Sequence, residues 1–332
     1  MSIHDHDASS KMGVKEFYKQ SGRYEYADKM KRILESWIDP KTGLIKEEYT
    51  KKRNCPLCSS VSYRTAFIKK GFVYAICIDC GMMYVLNPLS DERVDQLYLE
   101  SDYNDGWLAV LQSDTQKKFD RIKYEEGLIL IEKYSRGKLL DVGSSIGFFL
   151  EIAKARGWDT VGIELNTQAV EIARKAGIKV YDKKLDSSLF VNEKFDAVSL
   201  WDTIEHVVDS REIFENIHRI LKTNGVLLIE TPNANSLAAR ILHDKCATFA
   251  GHAHVSLFSS ETLTKYIESF GFEKISLDTF ISEINVINNH LEYYDPYTGD
   301  SKNTKDVLGM ISAEQLHRNL LGYKMLALFR KR

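Results

Sequence analysis

The amino-acid sequence predicts an α/β fold, a mostly parallel sheet covered by helices on both faces, preceded by a small cysteine-rich module. From residue 138 onward, short apolar runs alternate with helical patterns, which is typical of a parallel sheet. Upstream of that point, four cysteines stand in two closely spaced pairs. The chain has 332 residues, of which 44% are hydrophobic, so it can bury a sizeable core.

The alternating part of the chain contains seven predicted strands. They span residues 138–142, 160–164, 178–181, 196–201, 225–230, 273–279 and 324–330. The connection 281–322 between the last two strands is unusually long, with a helix predicted over 313–321. A connection of this length is either functional or a structural insertion.

Three segments precede the main domain, which we assign to residues 138–332. Residues 1–50 are predicted to form a helical N-terminal arm, with amphipathic helices over 15–37. We interpret this arm as a packing or dimerisation element. Residues 51–90 contain the cysteine pairs. Residues 91–137 predict a helical connector that leads to the first strand of the sheet.

The most informative segment begins at the first predicted strand. An apolar run ends in Asp141, and the turn Asp141-x-Gly143-x-Ser145-x-Gly147 leads into a helix. Such a turn holds a small polar ligand at the helix N-terminus, where free N–H groups point outward. Glu164 ends the second strand, 21 residues after Gly143. In nucleotide-binding βαβ units, an acid at this distance accepts hydrogen bonds from a ribose.

The turn lacks the two common phosphate-binding patterns. Counted from Gly143, the third and sixth positions of a Gly-x-Gly-x-x-Gly pattern hold Ser145 and Phe148, and no Gly-x-x-x-x-Gly-Lys-Ser/Thr pattern occurs. The acid Asp141 would repel a pyrophosphate, but it would attract a cationic amino-acid group. S-adenosylmethionine carries an ammonium, a sulfonium and a ribose, and it therefore fits this turn.

These residues resemble the class I S-adenosylmethionine-dependent methyltransferases. The family has a glycine where this chain has Ser145, and residues 195–202 and 221–230 resemble the family's fourth and fifth strands. The resemblance extends over residues 103–332 and implies a Rossmann-like sheet of seven strands, whose last strand is antiparallel and lies between the fifth and sixth. It also implies a set of cofactor-binding residues. Two of them, at the end of the fourth strand, line the pocket near the methyl group. The full set is Asp141, Gly143, Ser145, Gly147, Glu164, Trp201 and Asp202.

The cysteine pairs predict a metal site. Cys55-x-x-Cys58 and Cys77-x-x-Cys80 are separated by 18 residues, which is typical of a four-cysteine zinc site. Four thiolates complete a tetrahedron, so the zinc would be structural, in a ribbon of two short strands. Four unpaired thiols or an iron–sulfur cluster are the alternatives. The module resembles the N-terminal zinc ribbon of a bacterial methyltransferase group that includes deoxysugar C-methyltransferases.

Two histidines are candidates for catalysis. His252 and His254 lie in a loop after the fifth strand, at the sheet edge where open α/β folds bind ligands. Methyl transfer often requires the removal of one proton, which suits a histidine. We expect one of the two to face the pocket and favour His254, as a base or as a residue that only positions the substrate. The deoxysugar C-methyltransferases carry a Glu-His pair here, and because Ala253 replaces the glutamate, oxygen methylation is favoured over carbon methylation.

A third histidine, His206, follows Glu205 after the fourth strand. With Asp202, this pair resembles an acid–Glu–His cluster that is linked to a divalent metal in ubiquinone-pathway O-methyltransferases. The same Glu-His pair is common in the wider family without a metal. We therefore favour a packing role for His206 and keep the metal as the alternative.

The sequence as a whole predicts a methyltransferase that acts on a small molecule, with a nucleotide-linked or surface-polysaccharide sugar as the favoured acceptor. An RNA or DNA methyltransferase is the first alternative, disfavoured by the formal net charge of −2, and a non-catalytic cofactor-binding homologue is the second. The sequence has no membrane-spanning apolar run and no signal-peptide core, which predicts a cytoplasmic protein without membrane insertion. A homodimer through the N-terminal arm is left open.

Overall fold

The structure of the protein is a computed structural model. It describes residues 19–99, 101–191, 193–284, 287, 294–295, 299–300 and 311–332. The strands, in chain order, are β1 (Tyr63–Lys69), β2 (Phe72–Cys77), β3 (Met83–Val85), β4 (Lys138–Val142), β5 (Asp159–Ile163), β6 (Lys179–Tyr181), β7 (Phe195–Trp201), β8 (Leu221–Pro232), β9 (Ser256–Leu257), β10 (Phe272–Phe280), β11 (Tyr294–Asp295), β12 (Gly299–Asp300) and β13 (Lys324–Lys331). The helices, in chain order, are α1 (Arg23–Trp37), α2 (Asp91–Leu99), α3 (Ser101–Gln112), α4 (Asp114–Glu132), α5 (Phe148–Ala155), α6 (Thr167–Lys175), α7 (Arg211–Ile220), α8 (Leu237–Leu242), α9 (Ser260–Glu268) and α10 (Ala313–Arg318).

The large sheet has seven strands in the order β10-β13-β8-β7-β4-β5-β6. Strands β4 to β8 are parallel to one another, whereas β13 is antiparallel to both β8 and β10. This topology confirms the predicted seven-stranded sheet with an antiparallel last strand between the fifth and sixth. The carboxyl ends of β4, β5, β7 and β8 therefore meet at one edge of the sheet.

The strand bounds agree with the predicted ones within one or two residues, except at the start of β8. The sequence predicted that strand from residue 225, whereas β8 begins at Leu221, directly after α7. The ladder with β7 explains the difference, because Phe195 pairs with Leu221 and Ala197 pairs with Val226. The register shifts between these two pairs, so the extra residues form an irregular part of the strand.

The sheet is buried on both faces, as expected for a parallel sheet covered by helices. Strand β7 is buried at six of its seven residues, and α7 covers it with Phe214, Ile217 and Ile220, which recur at helical spacing. Residues 91–137 contain α2, α3 and α4. Among the described helices, none is long and apolar enough to span a membrane.

The cysteine module forms a larger sheet than the sequence predicted. The expected hairpin of two strands is present as β1 and β2, but β3 and β9 extend it to four antiparallel strands. Met83 pairs with Leu257 and Tyr84 with Ser256, so a strand from the main domain completes the ribbon sheet. Half of the predicted connection 281–322 lies outside the described residues; within the described part, α10 begins at Ala313 as expected.

Candidate functional site

The turn after β4 has left-handed backbone conformations at three positions. Gly143 and Gly147 have φ values of +79° and +80°, in the left-handed region. A Cβ atom on Gly143 would lie 2.5 Å from the Thr203 hydroxyl oxygen. Ser145, which stands where the resembling family has a glycine, also takes a left-handed conformation with φ +49°. The backbone thus keeps the path of a glycine-rich turn in spite of the serine.

Glu164 closes the turn from the second strand. Its Oε2 atom accepts a hydrogen bond from the Ser145 N–H at 2.8 Å. Its Oε1 atom accepts hydrogen bonds from the N–H groups of Leu165 at 2.7 Å and Asn166 at 2.8 Å. A carboxylate oxygen has two acceptor positions, so Oε2 retains one for a ligand hydroxyl.

Asp141 is 1% exposed and lies beneath the turn. Burial raises the pKa of this carboxyl to about 8, although Ser199 donates a hydrogen bond to it at 2.7 Å and thereby favours the ionised form. The charge of Glu164 adds to the increase of the pKa. A cationic ligand beside Asp141 would therefore be accompanied by release of a proton from this carboxyl.

Trp201 and Asp202 lie at the end of β7. Trp201 is 5% exposed, and its ring packs against Tyr124 at 4.9 Å and Phe149 at 5.2 Å between ring centroids. Asp202 has a left-handed φ of +46°, and its carboxylate forms ion pairs with Lys123 at 3.0 Å and with Lys324. Trp201 thus belongs mainly to the core, whereas the partly exposed Asp202 borders the sheet edge.

Asp202 is part of a buried charge cluster that the sequence analysis missed. Lys324 also pairs with Glu230 at 2.9 Å, and Lys123 pairs with Glu230 at 3.6 Å and Asp120 at 3.6 Å. Burial raises the pKa of the fully buried Glu230 to about 7, and the Asp202 charge adds to this effect. An acid at the end of the apolar run of β8 was a signal for this cluster. No local pattern links Lys123 with Lys324, because 200 residues lie between them.

The two lysines also determine the ionisation of Asp202. Burial acts to raise the pKa of Asp202, but the charges of Lys123 and Lys324 outweigh it and hold the pKa well below its usual range. Asp202 is therefore a fixed negative charge at the sheet edge. It faces the Glu205 carboxyl, whose pKa is raised well above its usual range by burial and by this neighbouring charge.

His254 and His206 come together at the same edge, and His252 does not join them. The rings of His206 and His254 lie 5.1 Å apart between centroids. His252 instead lines a separate cavity of about 220 Å³, together with Lys70 and Phe72. His252 and His254 therefore have different surroundings.

The ring of His254 has a fixed orientation. Its Nδ1 atom lies 2.8 Å from the Thr248 carbonyl oxygen, so Nδ1 carries the proton and donates it, while Nε2 keeps its lone pair. Burial, with a smaller contribution from the neighbouring His206, lowers the pKa of His254 to about 3. The imidazole is therefore neutral at pH 7, with one nitrogen available as a proton acceptor or metal ligand.

Two groups of side chains have the composition of a metal site. One ligand atom from each of Glu205, His206 and His254 lies within 4.8 Å of the other two. The Oε1 atom of Glu205 is buried without a hydrogen-bond partner among the described residues, while Thr231 donates a hydrogen bond to Oε2 at 3.0 Å. Two neutral imidazoles and a carboxylate suit a divalent transition metal, so these residues fit the ion that the sequence left as an alternative. Asp202, whose oxygens contact the two lysines, is not in this group.

The four cysteines form the second group. Their sulfur atoms lie within 4.8 Å of one another, and the Cys55–Cys80 and Cys58–Cys77 sulfur distances are both 3.5 Å. Gly81, directly after the second pair, has φ +77° and lets the chain turn back from the cluster. Four converging thiols fit a tetrahedral zinc ion.

Comparison with known proteins assigns the central part of the chain to a family. Residues 113–277 match the family described as a methyltransferase domain. A ubiquinone biosynthesis O-methyltransferase of Haemophilus ducreyi is 32% identical over 107 residues, which are 29% of this chain and 45% of that protein. An uncharacterized protein of Methanocaldococcus jannaschii is 22% identical over 154 residues, which are 46% of this chain and 73% of that protein.

Among solved structures, an S-adenosylmethionine-dependent methyltransferase from Archaeoglobus fulgidus superposes with a TM-score of 0.47 and 22% identity. The superposition covers 65% of this chain and 94% of that one. The chain spans less than half the length of the ubiquinone biosynthesis O-methyltransferases that it matches.

Proposed function

We propose that this chain, whose residues 113–277 belong to the class I S-adenosylmethionine-dependent methyltransferases, transfers a methyl group to a hydroxyl oxygen of a small molecule. One observation carries the proposal. The glycine-rich turn with its two acids and the His254 ring with its free Nε2 atom lie at the same carboxyl edge of the sheet. The proposed cofactor site and the proposed proton acceptor therefore lie at one edge of the sheet.

The turn supplies the cofactor site in this proposal. S-adenosylmethionine provides a methyl group on a sulfonium, which an acceptor oxygen attacks as the carbon–sulfur bond breaks. Glu164 Oε2 would accept a hydrogen bond from a ribose hydroxyl, and the Asp141 carboxyl, once ionised, would provide a counter-charge for the cationic amino-acid end. Gly143 and Gly147 let the turn pack tightly, because a Cβ atom would lie 2.5 Å from Thr203 at the first position and 2.9 Å from Ala173 at the second.

His254 is the proposed catalytic residue. Its Nε2 atom receives the proton of the acceptor hydroxyl, and the Thr248 carbonyl holds the ring in the required tautomer. With a pKa of about 3 in the free protein, His254 is a weak base, and the fixed charge of Asp202 stabilises the imidazolium that forms. His252, which was the second candidate, lines another cavity, and we assign it no proton transfer.

A divalent ion held by Glu205, His206 and His254 is a second means of activating the acceptor. It is favoured by the unpartnered buried Oε1 atom of Glu205. Such an ion supplies Lewis-acid activation of an acceptor hydroxyl when it is bound. In that case His254 serves as a ligand and not as a base.

A sugar, nucleotide-linked or part of a surface polysaccharide, is the acceptor class we propose. The support is the resemblance of the ribbon to that of deoxysugar methyltransferases. Ala253, which replaces the glutamate of the carbon-methylating enzymes, favours transfer to oxygen. We also propose that the protein is cytoplasmic and that its ribbon binds a structural zinc ion.

A labelling screen tests the proposed function. The purified chain is incubated with methyl-labelled S-adenosylmethionine and with nucleotide-linked sugars, a small-metabolite extract or total RNA. We expect label in a sugar-containing small molecule, at an oxygen, with the His254→Ala variant as the negative control. Label that enters RNA would contradict the acceptor class, and label in no fraction would contradict the activity.

A further inference from the structure

The ribbon sheet contacts the loop that carries His254, and these contacts suggest how the histidine is positioned. We define the histidine loop as residues 246–255, between α8 and β9. On its far side, the loop is fixed to the main domain by the Val255 N–H, which donates a hydrogen bond to the Glu205 carbonyl at 2.8 Å. Further contacts join the loop to the ribbon.

Three kinds of contact join the ribbon to the histidine loop. The Lys69 ammonium at the end of β1 donates a hydrogen bond to the Cys246 carbonyl at 2.7 Å. The Val85 N–H of β3 donates one to the Val255 carbonyl at 2.9 Å. Gly251 is packed so closely on β2 that a Cβ atom there would lie 2.5 Å from the Phe72 ring. The loop is therefore held at its start, its middle and its end.

Phe249 is the central packing contact. It is 2% exposed, and its ring lies 5.0 Å from Phe67 and 5.5 Å from Tyr74 between centroids. Phe67 and Tyr74 are themselves stacked at 4.6 Å, on β1 and β2 of the ribbon hairpin. The three rings form an aromatic cluster that spans the ribbon and the histidine loop.

This cluster adjoins the group that orients His254. Thr248, one residue before Phe249, is fully buried, and its carbonyl accepts the hydrogen bond from His254 Nδ1. The direction of that carbonyl depends on the backbone between Thr248 and Gly251, which Phe249 fixes against the ribbon. At the other end of β2, Cys77 joins the four-cysteine cluster.

We propose that Phe249 is a positioning residue, through which the four-cysteine ribbon sets the orientation of the His254 ring. The cofactor turn lies on β4 and β5, and its acids bond to Ser199, Ser145 and their neighbours in the main domain. Cofactor binding is therefore independent of Phe249, whereas the His254 tautomer depends on it. The inference rests on the proposed function only in that His254 serves the reaction.

The test uses the full-length, zinc-loaded protein and needs no acceptor. Long-range proton–nitrogen NMR spectra of the imidazoles report the tautomer of His254, with a His254→Gln variant to assign the signal. Zinc content and calorimetric titration with S-adenosylmethionine are measured on the same samples. We expect the Phe249→Ala variant to lose the Nδ1-protonated signal, while it keeps its zinc and binds the cofactor within about threefold of the unmodified chain.

Two control variants separate positioning from general stability. Phe249→Leu refills most of the space and should restore the Nδ1-protonated signal. Phe272→Ala removes an equally buried ring on β10 and should leave the signal unchanged. The proposal is overturned if Phe249→Ala keeps the signal, or if Phe272→Ala loses it as well.

Removal of the metal with a chelator provides a second test of the proposal. We expect the chelated protein to lose the His254 signal and to retain cofactor binding. A retained signal, or joint loss of signal and cofactor binding, would contradict the proposal. Failure of the unmodified chain to bind S-adenosylmethionine would instead count against the proposed function, because the tautomer comparison does not depend on that binding.

Discussion

At the scale of single residues, the turn 141–147 after β4 contains a strained serine, and a carboxylate stabilises the strained conformation. Ser145 is held in a left-handed conformation, which costs a residue with a side chain about 1–2 kcal/mol. The Glu164 carboxylate accepts a hydrogen bond from its N–H and so holds the turn in that conformation. The sequence identified Ser145 as the departure from the family's glycine, but its φ angle required the structure.

Ser145→Gly should increase the stability of the protein. Glycine adopts the left-handed conformation without the steric cost, although it loses more backbone entropy on folding. We expect the free energy of unfolding, measured by urea denaturation, to rise by about 0.5–1 kcal/mol. The matched variant Ser145→Ala keeps the strain and should show no gain. Equal stability of the two variants would argue against strain at this position.

His254→Ala should reduce turnover and spare cofactor binding. Loss of a positioned proton acceptor usually lowers turnover by about 10²–10⁴-fold. Once an acceptor is known, turnover is followed with labelled cofactor, and affinity is measured by calorimetry. His252→Ala is the control, since that ring faces another cavity. Turnover of the His254 variant close to that of the unmodified chain would remove this residue from the mechanism.

At the scale of elements, the ribbon is the part of the structure that differs most from its prediction by sequence. The spacing of four cysteines was sufficient to predict a hairpin and a cluster of four thiols, because both depend on local chain geometry. The fourth strand, β9, was not predictable, since it consists of only Ser256 and Leu257 and pairs with β3 far away in sequence. The ribbon therefore supports the histidine loop and is not a separate appendage.

Elemental analysis should find about one zinc ion per chain. The Cys58→Ser variant removes one of four ligands and should lose the zinc and lower the melting temperature, because metal binding contributes to folding. Cys246, which lies outside the four-sulfur group, provides the control. The Cys246→Ser variant should keep its zinc. Zinc that persists in the Cys58 variant would contradict the four-cysteine site.

At the scale of the whole molecule, the order of the large sheet followed from the alternation of strands and helices and from the family resemblance. Each such element has its own hydrophobic period, so local sequence suffices to detect it. The buried charges behave differently, because Lys123, Glu230 and Lys324 come from three distant segments. Their proximity is a consequence of the topology and has no sequence signature of its own.

The charge cluster makes a testable contribution to stability. Replacing Lys324 by Met leaves Glu230 buried with fewer positive neighbours, and breaking a buried pair typically costs about 3–5 kcal/mol. The exposed pair of Lys222 with Asp196 is the control, and Lys222→Met should cost less than about 1 kcal/mol. Both free energies of unfolding are measured by denaturant titration.

The cost of Lys324→Met should also depend on pH. Burial raises the pKa of Glu230 to about 7 in the folded protein, above its value in the unfolded chain, so this group destabilises the fold as pH rises through 7. Without the Lys324 charge the pKa rises further, so the loss of stability should be larger at pH 9 than at pH 6. A cost that is equal at both values would contradict this description of the cluster.

Binding of S-adenosylmethionine tests the central claim most directly. We expect calorimetry at pH 7 to show one cofactor per chain, with release of a proton as Asp141 ionises, so that the measured heat varies with the ionisation enthalpy of the buffer. The Asp141→Asn variant should bind more weakly and lose the dependence on buffer. Absence of binding at millimolar cofactor would contradict the assignment of this turn as the cofactor site.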